Sequence, residues 1–468
     1  MFVEGVAMLL ALFVSIIYNE SDSTGFVLSS GLNLVGGALI IWITRNARKD
    51  IGKREGFVIV ALVWIVFSLL GSLPYIFTGA IPNYTDAFFE TMSGFTTTGS
   101  SVLNDVESLS HGILFWRSLT QWLGGMGMIV LSLAILPIFG IGGMQLYIAE
   151  VPGPTPDKIT PRIRQTAAKL WAIYLIFTVA QVLLLWLGKM PLFDSICHSF
   201  TTMATGGFST KQASIAYWAS PYIQYVIILF MFIAGTNFTL SYFAIRGKFV
   251  HLLKDEEFKF YGFIVLFFAI IITGGLLIST DNGFEKAFRD ALFQVVSIIT
   301  TTGFATTDYL LWKPILIAII FAAFFIGGSA GSTGGGIKIM RIVLLLKNGY
   351  YELKRMLHPN AVIPLKFNNH SVDPKIVTNV LAFFVLYFMI FGVSTIIFML
   401  FVPDLETSMG AVATCLGNIG PGLGTVGPAE TFSHIHPAGK WFLSFLMLLG
   451  RLELFTILVL FSPSFWRQ

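Results

Sequence analysis

The stretch Phe293-Gln-Val-Val-Ser-Ile-Ile-Thr-Thr-Thr-Gly-Phe304 recurs in outline four times along the chain. Counting back from Gly303, Asp290 lies at −13, Ser297 at −6, and Thr300-Thr301-Thr302 lead into the glycine. The same count from Gly99 finds Asp86, Ser93 and Thr96-Thr97-Thr98. From Gly207 it finds Asp194, Thr201 and Ala204-Thr205-Gly206, and from Gly420 it finds Thr407, Thr414 and Gly417-Asn418-Ile419. The glycines are 108, 96 and 117 residues apart. Repetition at a fixed period reports architecture before any single residue does.

Each unit reads as a short helix that opens on an N-capping Asp or Thr, runs about two apolar turns, and stops at small residues and a glycine. Four such loops around one axis present rings of backbone carbonyls and threonine hydroxyls, the kind of ring that replaces the hydration shell of K⁺. The helix C-termini, each worth about −0.5 of an elementary charge, point at the same place. The expected cation-binding set is therefore Thr97, Thr98 and Gly99, Thr205, Gly206 and Gly207, Thr301, Thr302 and Gly303, and Asn418, Ile419 and Gly420. K⁺, with Rb⁺ as its surrogate, is cargo here; no covalent cofactor is called for.

With 468 residues, 55% hydrophobic and 12% charged, the composition excludes an ordinary soluble domain and a disordered chain, and reads as an all-α polytopic membrane protein. A net charge of +4 is too small to imply nucleic acid. Cys197 and Cys415 both fall in the short helices before a loop and read as small buried packing residues. Apolar segments at 2–18 and 25–44 form a pair outside the repeat. Long apolar helices then flank each loop, near 56–80 and 112–139, 165–187 and 219–246, 258–280 and 312–346, and 376–402 and 437–462. The fold expected is four pseudo-symmetric helix–pore-loop–helix repeats around one pore, plus two extra N-terminal helices. The units are bounded at 1–48, 49–145, 146–250, 251–355 and 356–468.

Charge sets the orientation. Lys and Arg gather at 45–55 (Arg45, Arg48, Lys49, Lys53, Arg54), 140–169 (Lys158, Arg162, Arg164, Lys169), 246–259 (Arg246, Lys248, Lys254, Lys259) and 341–375 (Arg341, Lys347, Lys354, Arg355, Lys366, Lys375). Segments 81–111 and 402–436 have none. The positive-inside rule puts the basic loops in the cytoplasm and the filter loops outside, where Asp105, Glu107, Asp404, Glu406 and Glu430 form a weakly acidic mouth.

Three further features stand out. Position −9 carries Glu90, His198, Gln294 and Ala411; polar groups at one helical position inside a membrane face protein or water, and bracing of the loops is favoured over proton coupling. The last helix of the third unit is interrupted by Gly327-Gly328-Ser329-Ala330-Gly331-Ser332-Thr333-Gly334-Gly335-Gly336, followed by Lys338. Non-helical backbone at that depth survives only inside protein or along a cavity, so the break reads as a constriction below the filter, hence a gate. It is no phosphate loop, because Ile337 stands where the lysine is needed and no strand precedes it. Arg451, mid-way along the last apolar helix with Glu453 two residues on, should face the pore or a carboxylate.

These residues resemble the Trk/Ktr/HKT superfamily of potassium transporters. Phe95-Thr-Thr-Thr-Gly99, Ala204-Thr-Gly-Gly-Phe208, Ser297–Phe304 and Asn418-Ile-Gly-Pro-Gly422 look like its four filters. Trp116-Arg-Ser-Leu-Thr-Gln-Trp-Leu-Gly-Gly-Met-Gly127 and Gly450-Arg-Leu-Glu453 look like its TrkH-type subunit, over essentially the whole chain. The resemblance implies a homodimer with one pore per subunit and a cytosolic ring of TrkA-type nucleotide-binding subunits. It carries the family's intramembrane loop onto Gly327, Gly328, Ser329, Gly331, Gly334, Gly335, Gly336 and Lys338, and its pore arginine onto Arg451. Gly417-Asn-Ile-Gly420 departs from the Thr-rich pattern, so a fourfold hydroxyl ring does not follow. The expectation is K⁺ uptake across the cytoplasmic (inner) membrane, with no enzymatic step and weaker rejection of Na⁺ than a Gly-Tyr-Gly filter gives. The alternative left open is an H⁺- or Na⁺-coupled K⁺ symporter.

Overall fold

The computed structural model describes residues 1–46, 52–134, 163–361 and 363–467. Arg48, Lys49, Lys158 and Arg162 of the basic loops, and the expected unit boundaries at 48–49 and 145–146, lie outside the described residues. The protein is an all-α membrane protein; among the described residues the only strands are the two-residue pair Lys366–Phe367 and His370–Ser371, closed by Asn368 and Asn369 at positive φ, as a two-residue hairpin requires.

The four short helices are Tyr84–Phe95, Leu192–Met203, Phe284–Ile299 and Leu405–Gly417. They start earlier than the sequence suggests. The residues at the N-caps are Asn83, Pro191, Gly283 and Asp404, not Asp86, Asp194, Asp290 and Thr407. Asp86, Asp194 and Thr407 sit in the first turn, where the helix dipole favours a carboxylate as much as a cap does. The two aspartates tie their helices to other segments: Asp86 accepts from Lys440 Nζ at 2.6 Å and Asp194 from the Thr210 hydroxyl at 2.6 Å.

Among the described residues, five helices are long and apolar enough to cross a membrane: Ser23–Asn46, Arg54–Phe77, Thr166–Leu187, Glu256–Ser279 and Pro374–Phe398. Two expected straight spans are instead bent pairs. Pro221–Ala234 meets Phe238–Ile245 at 112°, and Pro437–Arg451 meets Phe455–Phe461 at 111°. The first bend forms because Asn237 caps a new helix, accepting from Thr239 N at 2.8 Å. The second passes through Glu453 and Leu454, both at positive φ. The third unit's break separates Pro314–Ala323 from Ile339–Leu357. Among the described residues three second helices are thus broken, where only one break was expected.

Burial divides the interior into two apolar bodies. One gathers around Met231, Phe293 and Phe304 and takes in Val380, Ala413 and Leu423 from later in the chain. The other joins the N-terminal pair to the first and fourth units around Phe89, Trp116 and Met447. The N-terminal pair Phe2–Ile17 and Ser23–Ile43 is docked by Glu20, which accepts from His111 N at 2.9 Å and so caps the helix His111–Ala134. Outward apolar side chains such as Phe263, Ile278 and Leu400 stay exposed, as a lipid-facing surface requires.

Candidate ion-binding ring and intramembrane loop

All four short helices end in one backbone device. The residue at −1 donates its N–H to the carbonyl at −6: Thr98 to Ser93 at 2.9 Å, Gly206 to Thr201 at 2.8 Å, Thr302 to Ser297 at 2.8 Å and Ile419 to Thr414 at 3.0 Å. The residue at −2 has positive φ, 53° at Thr97, 53° at Thr205, 57° at Thr301 and 53° at Asn418. This is the Schellman closure, in which glycine is usual at the left-handed position. Threonine there is strained by about 1–3 kcal/mol, and the chain accepts that strain three times. Asn, which tolerates the conformation better, takes the fourth.

The glycines themselves are at φ 88°, 78°, 83° and 112°. A β-carbon on Gly99 would run into the Gly206 carbonyl oxygen, one on Gly207 into that of Thr302, and one on Gly303 into that of Ile419. One on Gly420 would meet the Thr98 oxygen at 3.0 Å. The contacts close a cycle of four, so Gly99, Gly207, Gly303 and Gly420 encircle a common axis. Among the described residues no N–H or O–H donates to the carbonyls of Thr97, Thr205, Thr301 or Asn418, although all four residues are buried. Buried acceptors without donors are costly, and a ring of them suits a cation.

Outside the ring lies an open cavity floored by the four glycines. Its wall includes Lys211 and Glu430; of the five acidic residues expected at the mouth, Glu430 alone lines it. The −9 side chains brace the segments that leave the ring. Glu90 accepts from Val102 N at 2.9 Å and from the Ser101 hydroxyl. His198 Nε2 lies 3.0 Å from Ser209 Oγ, and Gln294 Nε2 donates to Thr307 O at 3.2 Å.

Two bracing residues escaped the sequence reading. Arg117 pairs with Glu90 (Nε–Oε1 2.7 Å), donates to Ser209 O at 2.8 Å and lies over the Phe208 ring. One turn on, Gln121 donates to Gly206 O at 2.6 Å and accepts from Phe208 N at 3.1 Å. A lone Arg in an apolar helix, with an amide at i+4 on the same face, was the available signal. Gly124 and Gly125 follow because a β-carbon at either would strike the backbone of Phe95 or Ala204, at the inner ends of the first two short helices.

The loop Gly327–Gly336 lies on the other side of the ring from the cavity. It touches residues that precede the glycines: Gly335 N donates to Thr301 Oγ1 at 2.7 Å, and β-carbons on Gly334 and Gly335 would meet Thr300 and Asn418. Its neck is closed by Gly327 N to Ile337 O at 2.8 Å and Ile339 N to Gly328 O at 3.2 Å. It interlocks with the second unit's bend, through Ser329 N to Gly235 O at 2.8 Å and Phe238 N to Gly331 O at 3.2 Å. Lys338 Nζ folds back on Gly334 O. Arg451, 1% exposed, donates to Thr333 O at 2.8 Å and to Gly124 O at 3.2 Å. Its hydrogen-bond acceptors are these carbonyls rather than the carboxylate of Glu453, which pairs with Arg341. The loop and the arginine, inferred separately, are one hydrogen-bonded assembly.

Comparison with known proteins decides the family. A family model described as a cation transport protein, TrkH, matches residues 26–468. The chain belongs to the TrkH family. This TrkH-family chain is 44% identical over 468 residues to the Trk system potassium uptake protein TrkH of Salmonella typhimurium, covering 98% of this chain and 96% of that one. The Escherichia coli K12 protein of the same name gives the same figures. The crystal structure of the potassium transporter TrkH from Vibrio parahaemolyticus superposes with a TM-score of 0.90 at 41% identity, covering 99% of this chain and 96% of that one. These homologues are named as potassium uptake proteins or transporters.

Proposed function

We propose that the chain is a K⁺ uptake pore of the cytoplasmic membrane, with the ring as its selectivity filter and Gly327–Gly336 as its gate. The observation that carries this reading is the closed cycle Gly99, Gly207, Gly303, Gly420, with undonated carbonyls at Thr97, Thr205, Thr301 and Asn418 beside it. Thr98, Gly206, Thr302 and Ile419 set the ring's contacts. Gly206 O is held by Gln121, and Gly420 O by the Ser100 hydroxyl. Gly327, Gly328, Ser329, Gly331, Gly334, Gly335, Gly336 and Lys338, latched by Arg451, block the path on the inner side. The membrane potential, about 2.3 kcal/mol per charge per 100 mV, drives entry.

The positive-inside distribution supports filters outward and basic loops in the cytoplasm. The four units at 49–145, 146–250, 251–355 and 356–468, the homodimer and a TrkA-type cytosolic nucleotide-binding ring are part of the same proposal. The Glu90–Arg117 pair favours a pore over proton coupling through Glu90, because that carboxylate is already engaged. Rb⁺ flux into proteoliposomes is the test. Rb⁺ uptake competed by K⁺ more strongly than by Na⁺, insensitive to a pH gradient, is expected; indifference to K⁺ overturns the pore, and dependence on the pH gradient favours symport. Shortening the Gly327–Gly336 loop should raise flux; unchanged or lower flux removes it as the gate.

A further inference from the structure

The loop is held from the basic side by a carboxylate that the reading above leaves without a role. Glu257 is the second residue of the helix Glu256–Ser279 and is 1% exposed. Its Oε1 accepts from Ala330 N at 2.8 Å and from Met340 N at 3.2 Å. Ala330 lies in the first half of the loop, and Met340 lies just past its end, in the helix Ile339–Leu357. One buried oxygen therefore ties the entry of the loop to its exit. A carboxylate is retained in such surroundings only where it is hydrogen-bonded, and here its two donors are both main-chain groups of the loop and its flank.

The helix end that carries Glu257 is anchored in turn. Asp255 caps it through Phe258 N at 2.8 Å and accepts from Asn368 Nδ2 at 2.8 Å. Glu256 N donates to Asn368 Oδ1 at 2.8 Å. Lys347 pairs with Glu256 and donates to Lys366 O at 3.0 Å. The hairpin Lys366–Ser371 thus grips the same turn that grips the loop.

We propose that Glu257 is a positioning residue that clamps the closed loop, with the Lys366–Ser371 hairpin as the handle that sets the clamp. The proposal rests on the loop being the gate. Displacing the hairpin moves Asp255–Glu257 and releases both flanks together, a route by which a contact on the basic face reaches the pore.

The test uses the full chain in proteoliposomes, with Rb⁺ as the probe, in the native-loop and shortened-loop backgrounds. Glu257→Ala in the native loop should raise flux about tenfold, since it leaves two buried main-chain donors without their shared acceptor. Glu257→Gln, which keeps an acceptor oxygen, should raise it about two- to threefold. Rb⁺ over Na⁺ preference should not change. In the shortened loop Glu257→Ala should add nothing, because contacting elements are non-additive; a merely structural role would lower thermal stability equally in both backgrounds. Unchanged or lower flux in a folded Glu257→Ala protein, or full additivity with the shortened loop, overturns the clamp. Failure of the shortened loop itself to raise flux overturns the gate reading instead. Should Glu257→Ala not fold, Glu257→Gln and Asn368→Ala decide: raised flux in both supports the clamp, and no rise in either overturns it.

Discussion

The ring and the loop beneath it are both small-residue backbone without regular structure, packed within a few ångströms of each other, yet they are held in different ways. Each ring segment is closed by its own helix through the bond from −1 to −6, and each glycine is hemmed in by the next segment's carbonyl. The loop has no such repeated closure. Apart from its neck, it is held by single contacts from Met203, Gly235, Phe238, Glu257, Thr301, Lys338 and Arg451. Fourfold redundancy makes a rigid element; a handful of single bonds makes one with accessible alternatives. The strain kept at Thr97, Thr205 and Thr301 fits the first case, since strain persists only where the surroundings over-determine it.

The hardest way to break the contrast is to strike the ring. Gly207→Ala forces a β-carbon toward Thr302 O at φ 78°. With about 1–3 kcal/mol of strain placed on the binding geometry, Rb⁺ uptake should fall about 10- to 100-fold. Gly392→Ala, at a position with nothing within 4 Å, is the control and should leave uptake unchanged. Equal behaviour of the two variants removes the close-packed ring.

Loosening the loop should act with the opposite sign. Arg451→Ala removes the donors to Thr333 and Gly124. Bonds of that charged kind contribute about 1.5–3 kcal/mol each, so flux should rise about tenfold. A fall in flux, with the protein still folded, would mean that the arginine serves conduction rather than closure.

Threonine at −2 distinguishes the two elements within one residue type. Thr301 Oγ1 accepts from the loop at Gly335 N, whereas Thr97 Oγ1 has no hydrogen-bond partner among the described residues. Thr301→Val leaves a buried donor unmet, worth about 1–3 kcal/mol, and should raise flux about threefold. Thr97→Val has no loop contact to lose and should not raise flux.

The ring was legible in the sequence because its chemistry is local: a glycine and the small residues before it announce the helix end wherever they occur. The helix starts were misplaced because an acid serves equally at the cap and one turn in, as Asp86 and Asp194 do. The bends at Gly235–Asn237 and Leu452–Leu454 were illegible because apolar residues run to both sides of them and hydropathy has no term for direction. Arg117, Gln121 and Glu257 could not be assigned for a different reason. Their partners Ser209, Gly206 and Ala330 lie 92, 85 and 73 residues away, and only the closed fold brings them into reach.

The smallest effect belongs to the mouth, where electrostatics acts without contact. Lys211 lines the cavity above the ring, its Nζ 4.7 Å from the Tyr217 ring centre, and Glu430 lines the same cavity. A unit charge about 10 Å from an incoming cation in water changes its energy by about 0.4 kcal/mol, a factor of about two in local concentration. Lys211→Gln should therefore raise Rb⁺ uptake about twofold when external Rb⁺ is low, and Glu430→Gln should lower it by a similar factor. Neither should alter the maximal rate, because neither touches the ring. Both effects should fade as ionic strength rises toward 1 M, where the screening length falls to about 3 Å. Opposite signs that vanish in salt separate a field at the mouth from a packing change in the ring, which salt would leave in place.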